Sequence, residues 1–315
     1  MTWDEIPHRA PTETIEELRS IIIVDENLSK FRKRLDELTS SANEGFTMQD
    51  LGGGGLMFEA VRRSSTPFIT ELLHRGVPMS RSYVSSAIRC KAIEALKLFF
   101  WNGFDINEPE QMAPPLLAEA VIRSKKLFLW LLEYGADPNR GCDIDKTPLS
   151  TATQYASVHL VKIMIDNYGG DVSKGQLLHY AVRRKYDIIE ALELLLDRGA
   201  PINQTMYANH DWSRRWHHWL PLGTALHDAA RYGKIRAVKY LVKRGIDVSI
   251  KDSRGHTALE VAREFKHADI VEFLESVERD MVKDEDNSDS SGDNPLGDYG
   301  EEEQSPTGNS YCAIM

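Results

Sequence analysis

Toward its C-terminal end the chain repeats itself at a fixed spacing, and that spacing constrains the fold more than any other feature. GTALHDAARYGKIRAVKYLVKRGIDV begins at Gly223, and GHTALEVAREFKHADIVEFLESV begins at Gly255. Thr224 and Thr257, Leu226 and Leu259, Ala229 and Ala262, and Leu241 and Leu274 each stand 33 residues apart. Self-similarity at such a period marks a stack of like units, each burying its apolar face on its neighbours. The same Leu-x-x-Ala step recurs as Leu178–Ala181, Leu149–Ala152 and Leu117–Ala120, and more weakly as Val84–Ala87 and Met57–Ala60. A second apolar stretch and a glycine follow: Gly76, Gly103, Gly135, Gly169 or Gly170, Gly199 and Gly245.

Each recurring residue type has a physical use. Thr147-Pro148 opens a helix, with Thr as the cap and Pro where a missing N–H does no harm. The Ala column lets paired helices approach closely, and the Leu residues of the second helix fill the shared core. The glycine supplies the left-handed residue that ends that helix, and Asp and Asn turn the chain toward the next unit. With the period, the text around Thr224–His227, and GADPN at Gly135–Asn139 and GAPIN at Gly199–Asn203, the chain resembles the ankyrin-repeat family. That resemblance implies an all-α ankyrin-repeat solenoid of about seven helix-turn-helix units, from roughly residue 47 to 279. It also implies a surface for binding other proteins rather than a catalytic pocket, with His179 and His227 making structural hydrogen bonds.

The departures from the pattern are informative. The first two units are separated by only 27 residues and lack Thr-Pro-Leu-His, which predicts truncated hairpins. The step from Ala181 to Ala229 is 48 residues, so an insertion lies in the finger after Asn203, near 204–222. Solenoid ends need polar caps. Val24, Leu28, Phe31, Leu35 and Leu38 fall on one helical stripe, and Thr14 with Glu17 offers a capping box for an earlier helix. Residues 1–46 are therefore read as an N-terminal helical cap, its helices within 12–41; a separate interaction module is the alternative. Glu272, Glu275 and Glu278 make the last helix polar enough to finish the stack.

Formal charge is −10, and nine acidic residues with no basic one lie between Asp284 and Glu303. The rest of the chain is nearly neutral, a poor match to nucleic acid. Three scattered cysteines support neither a disulfide framework nor a zinc cluster. No apolar run reaches the roughly eighteen residues that span a bilayer, and the N-terminus has no signal-peptide character. Cytosolic synthesis is the expectation, so the sequons at Asn27 and Asn203 read as chance matches.

Candidate chemistry is sparse. Gly52–Gly55 is followed by Leu56-Met57-Phe58 rather than Lys-Ser/Thr, so it is read as a flexible joint and not a phosphate loop. His210, Asp211, His217 and His218 cluster without a nearby cysteine and read as surface or packed side chains rather than metal ligands. Arg62, Arg89, Arg183 and Arg231 follow the column alanines by two residues, as a basic ladder or, more simply, a solvated face. No catalytic residue, metal site or cofactor is assigned. An enzyme with its chemistry in the first 50 residues or the insertion is the runner-up, and no nucleophile–base pair supports it.

Two features point to partners. The insertion holds Tyr207, Trp212, Trp216 and Trp219 with Arg214 and Arg215 between them, residue types enriched at binding hot spots. Trp212, Arg214, Arg215, Trp216 and Trp219 are the candidate protein-binding residues; alternatively the rings fold back onto the repeats. Residues 280–315 read as a disordered acidic tail, and it ends Cys312-Ala313-Ile314-Met315, which resembles the C-a-a-X prenylation signal. A terminal Met favours farnesyl. The resemblance implies a prenyltransferase acting at Cys312, removal of Ala313, Ile314 and Met315, and methylation of the new carboxylate. A single acyl chain holds a bilayer at only about 10⁴ M⁻¹, so the expectation is reversible attachment to a cytosolic membrane face.

Overall fold

The computed structural model describes residues 10–40, 46–51, 53–109 and 112–289. Two compact units are divided between Val271 and Glu272. In the first, α1 (Thr12–Ser20) runs into a wide π turn (Ile21–Asp25) that Glu26 closes at φ 47°, and α2 (Leu28–Thr39) follows. The Asn27 side chain caps α2 by accepting the Lys30 N–H at 2.9 Å, which gives one of the two sequons a structural role. Leu18, Ile21, Ile22, Phe31, Leu35 and Leu38 are buried.

Two local expectations fail here. Val24 is 73% exposed, because the π turn and Glu26 break the helical phase that would have carried it onto the stripe of α2. Thr14 does not cap a helix either: α1 starts at Thr12 behind Pro11, with no side-chain cap.

Pairs of antiparallel helices follow: α3 (Gly53–Arg62) with α4 (Thr66–His74), α5 (Arg81–Cys90) with α6 (Ile93–Trp101), and α7 (Leu117–Arg123) with α8 (Lys125–Glu133). Then come α9 (Pro148–Tyr155) with α10 (Val158–Tyr168), and α11 (Leu177–Val182) with α12 (Ile188–Asp197). α13 (Asp211–Trp216) lies in the insertion, ahead of α14 (Ala225–Arg231), α15 (Ile235–Lys243) and α16 (Ala258–Glu264). Gly53–Gly55 form the first turn of α3, which corrects the flexible-joint reading at those residues. A Cβ on Gly54 would meet the Tyr83 hydroxyl at 2.8 Å, so this glycine allows α3 and α5 to pack closely.

The packing follows the columns. Ala60, Ala87, Ala120, Ala152, Ala181, Ala229 and Ala262 are all completely buried, and each first helix packs on the next through this row. Leu72, Phe99, Leu131, Met164, Leu195 and Leu241 fill the layer under the second helices. Each such side chain contributes roughly 1.5–3 kcal/mol of burial. At the N-terminal end the Phe31 ring meets Phe68 edge-on at 5.2 Å, and Glu71 accepts from Arg32 at 2.6 Å and Arg75 at 2.8 Å.

Between units the hairpins are tied by side chains. Asp105, Asp137, Asp171 and Asp247 each accept the N–H two residues on. Asn107 and Asn139 each reach the next hairpin, donating to Gly135 O and Gly169 O and accepting from Asp137 N and Asp171 N. Asn203, the second sequon, accepts from Asp247 N at 2.9 Å across the whole insertion. Of the adjacent glycines 169 and 170, Gly169 takes the left-handed turn (φ +67°) that ends α10.

The second unit begins within the last helix, α17 (Ala268–Asp289), which runs on to Asp289. The boundary expected at 280 therefore lies inside a helix. Nothing between Arg279 and Asp289 is Gly or Pro; the first such residue is Gly292. Residues 290–315 lie outside the described residues, and with them Cys312, Ala313, Ile314 and Met315.

Candidate functional site

The repeat motif's cap position explains how the insertion is held. In three units a Thr caps the first helix and the residue three later returns a bond to it: Thr147 with Ser150, Thr224 with His227, Thr257 with Glu260. The returning residue also bridges forward in two of them. Ser150 Oγ donates to Gly175 O at 2.6 Å, and His227 Nε2 lies 3.0 Å from His256 O. Burial holds the His227 pKa below its usual value, so the ring is neutral and keeps both an acceptor and a donor nitrogen.

At the unit before the insertion this arrangement changes. Gln176 stands where the others have Thr, and it adopts a left-handed conformation. Its side-chain oxygen accepts the Tyr207 N–H at 3.1 Å while its amide donates to Asp145 at 2.5 Å. By the pattern of the other units His179 would bridge to Gly223 O, but that oxygen accepts the Met206 N–H. His179 instead faces Asp228, 3.2 Å from Nδ1, and its Nε2 has no hydrogen-bond partner among the described residues. Arg183 donates to the same carboxylate at 2.9 Å. Burial alone would raise the Asp228 pKa, yet His179 and Arg183 outweigh it and hold it low. His179 thus keeps a structural bond, though to a different acceptor than His227.

Within the insertion, Met206, Tyr207 and Leu222 make a small apolar cluster, and Ser213 is fully buried. Side chains tie the insertion to hairpins on either side: Ser213 Oγ lies 3.4 Å from Asp143 O, in the hairpin between α8 and α9, and Leu222 N–H donates to Ser253 Oγ, which donates to Leu220 O. His210 caps α13 by accepting the Ser213 N–H at 3.2 Å. His217 stacks on Tyr207 at 4.9 Å, and His217 and His218 each place Nδ1 at 2.9 Å from a backbone carbonyl.

The tryptophans lie on the other side of this anchor. Trp212 and Trp216, one helical turn apart, stack at 5.2 Å with an interplanar angle of 7°, and are 42% and 48% exposed. Trp219 is 56% exposed and Leu220, which sequence reading had not singled out, is 38% exposed. Arg214 and Arg215 are exposed on the same short helix; Arg214 pairs with Asp211 at 2.8 Å. Of the four aromatic residues only Tyr207 folds inward. Of the four arginines read as a solvated face or, less simply, a basic ladder, three are engaged: Arg62 with Glu59, Arg183 with Asp228, and Arg231 over the Phe265 ring, while Arg89 is exposed.

Comparison with known proteins agrees with the repeat assignment. Residues 117–206 match a family model described as ankyrin repeats in three copies, and residues 207–262 match one for ankyrin repeats in many copies. The chain is 29% identical over 150 residues to alpha-latrotoxin-Lg1a of Latrodectus geometricus, covering 46% of this chain and 10% of that protein. It is 32% identical over 89 residues to the probable E3 ubiquitin-protein ligase XBOS34 of Oryza sativa subsp. japonica, covering 28% and 15%. With the human espin-like protein it shares 38% over 55 residues, covering 18% and 6%. The chain thus spans a small fraction of these relatives. Its residues 117–262 are ankyrin repeats, and its fold is an all-α repeat solenoid.

Proposed function

We propose that this chain is a non-enzymatic protein-interaction scaffold whose insertion presents Trp212, Arg214, Arg215, Trp216 and Trp219 to a protein partner. The observation that carries this reading is the two-sided build of the insertion. Backbone and buried side chains hold it to Asp143, Gln176, Gly223 and Ser253, while three tryptophans remain in solvent. A held loop loses little further conformational freedom on binding, and exposed Trp and Arg are the side chains that most often carry interface energy. The test compares full-length wild type with Trp212→Ala/Trp216→Ala as bait for partners identified by mass spectrometry. Partners captured through the insertion drop out of the double variant while its helical circular dichroism is retained; equal capture by both baits refutes the assignment.

We also propose that Cys312 carries a farnesyl group, added by a prenyltransferase, and that this lipid places the scaffold reversibly on the cytosolic face of a membrane. The terminal Cys-Ala-Ile-Met supports this, and no helix among the described residues is long and apolar enough to cross a membrane. Cys312→Ser removes the nucleophilic sulfur with little change in size. It shifts the protein from the membrane to the soluble fraction, while wild type gains the mass of a thioether-linked farnesyl. An intact mass ending in unmodified Met315 leaves a soluble ankyrin regulator as the correct reading.

A further inference from the structure

A second surface, separate from the insertion, crosses the first helices of three consecutive repeats. It is a groove of about 420 Å³ over α5, α7 and the start of α9. Among the described residues its lining carries Arg81, Arg89, Arg123 and Lys146 against one carboxylate, Glu119, and includes Ala118, which is buried, and Ile122, which is 58% exposed. Arg123 and Ser85 both donate to Glu119, which places that negative charge in the middle of the groove. Arg81 is fixed at one end by bonds to Glu108 O and Pro114 O. Lys146 lies 5.8 Å over the Tyr180 ring. Among the described residues no carboxylate comes within ion-pair distance of Arg89 or Lys146, although the body of the protein is nearly neutral.

We propose that this groove binds an extended acidic segment of a protein partner, with carboxylates at its two ends and none at its centre. The proposal rests on the scaffold reading above but uses a different face. Arg89 stands in the last turn of α5 and Lys146 just ahead of the N-terminal end of α9, so these two cations mark opposite ends of the first helices. An extended segment with acidic pairs separated by two uncharged residues carries its carboxylates to both ends and leaves its middle uncharged. The central Glu119 repels a continuous run of negative charge and accepts a polar or apolar residue, for which Ile122 offers a contact. That pattern also favours a peptide over single-stranded nucleic acid, since Glu119 repels evenly spaced phosphates and no aromatic side chain among the described residues lines the groove to stack bases.

Fluorescence anisotropy with the full chain tests this. The probe is a fluorescein-labelled twelve-residue peptide carrying two Asp-Glu pairs separated by Leu-Ser. It binds wild type with an affinity that falls as salt rises, and the same peptide with Asn-Gln pairs does not bind. Arg89→Glu/Lys146→Glu weakens it at least about tenfold, while Trp212→Ala/Trp216→Ala leaves it unchanged, which separates failure here from failure of the insertion. A peptide with Lys-Lys pairs binds the charge-reversed variant and not wild type, a gain that only a folded groove can give. Equal binding of the neutral peptide, an unchanged affinity in the charge-reversed variant, no gain with the Lys-Lys peptide, or tighter binding of an oligothymidylate each overturns the proposal.

Discussion

At the scale of single residues, the buried polar groups decide stability where the repeat pattern is interrupted. Asp228 holds His179 and Arg183 together beside the insertion. Asp228→Asn leaves Arg183 without its counter-charge and costs about 2 kcal/mol in urea denaturation, less than a fully buried pair because Arg183 keeps 27% of its side chain exposed. The low Asp228 pKa means that its contribution is present above the unfolded value, about pH 4, and is lost as pH falls through the folded one. His227 adds a second pH-dependent contribution. Its folded pKa lies below the unfolded value of about 6.5, so the unfolded chain takes up the proton first. Melting temperature therefore falls as pH drops below about 6.5 and levels off below the folded pKa, and His227→Gln flattens that part of the profile. Arg184 is a different case: it is buried, and its guanidinium is met by the carbonyls of Thr153, Ala156 and Tyr186. It closes the C-terminal end of α9, where a cation is favoured.

At the scale of elements, the repeat helices were legible because each is specified by a short periodic text. The Ala column, the Thr caps at 147, 224 and 257 and the left-handed glycines are local requirements, and all are met where the spacing predicts them. What escaped the sequence depended on partners far apart in the chain. Nothing near Ser213 announces that it is buried 3.4 Å from Asp143, 70 residues earlier. Only Gln176, standing where Thr147, Thr224 and Thr257 cap their helices, hints at the anchor. The N-terminal stripe failed at Val24 for a related reason, since an apolar sequence does not disclose a π turn. This division of the insertion gives a prediction at the same scale. Trp212→Ala/Trp216→Ala removes one exposed stacked pair, weakens partner binding by about 2 kcal/mol or more, and leaves the repeat melting transition in place. Tyr207→Ala instead opens the buried side, so protease cleavage between residues 204 and 222 accelerates.

At the scale of the molecule, cohesion along the stack is uneven. The asparagine bridges run from Asn107 to Asp137, from Asn139 to Asp171 and from Asn203 to Asp247; the first hairpin, after Gly76, is short and has no counterpart of them among the described residues. Native-state hydrogen exchange is therefore slower across residues 225–264 than across 57–103, and the opposite order contradicts this account. The bridge from Asn203 to Asp247 has a further consequence. It skips 44 positions and still closes the same contact that its counterparts close over about 30. Geometrically the intervening chain is a side branch: it leaves the stack at one rung and rejoins it at the next with the phase unchanged. Such a branch is an exchangeable cassette, free to change length and chemistry while the helices on either side keep their register, so recognition can diverge without the scaffold being rebuilt.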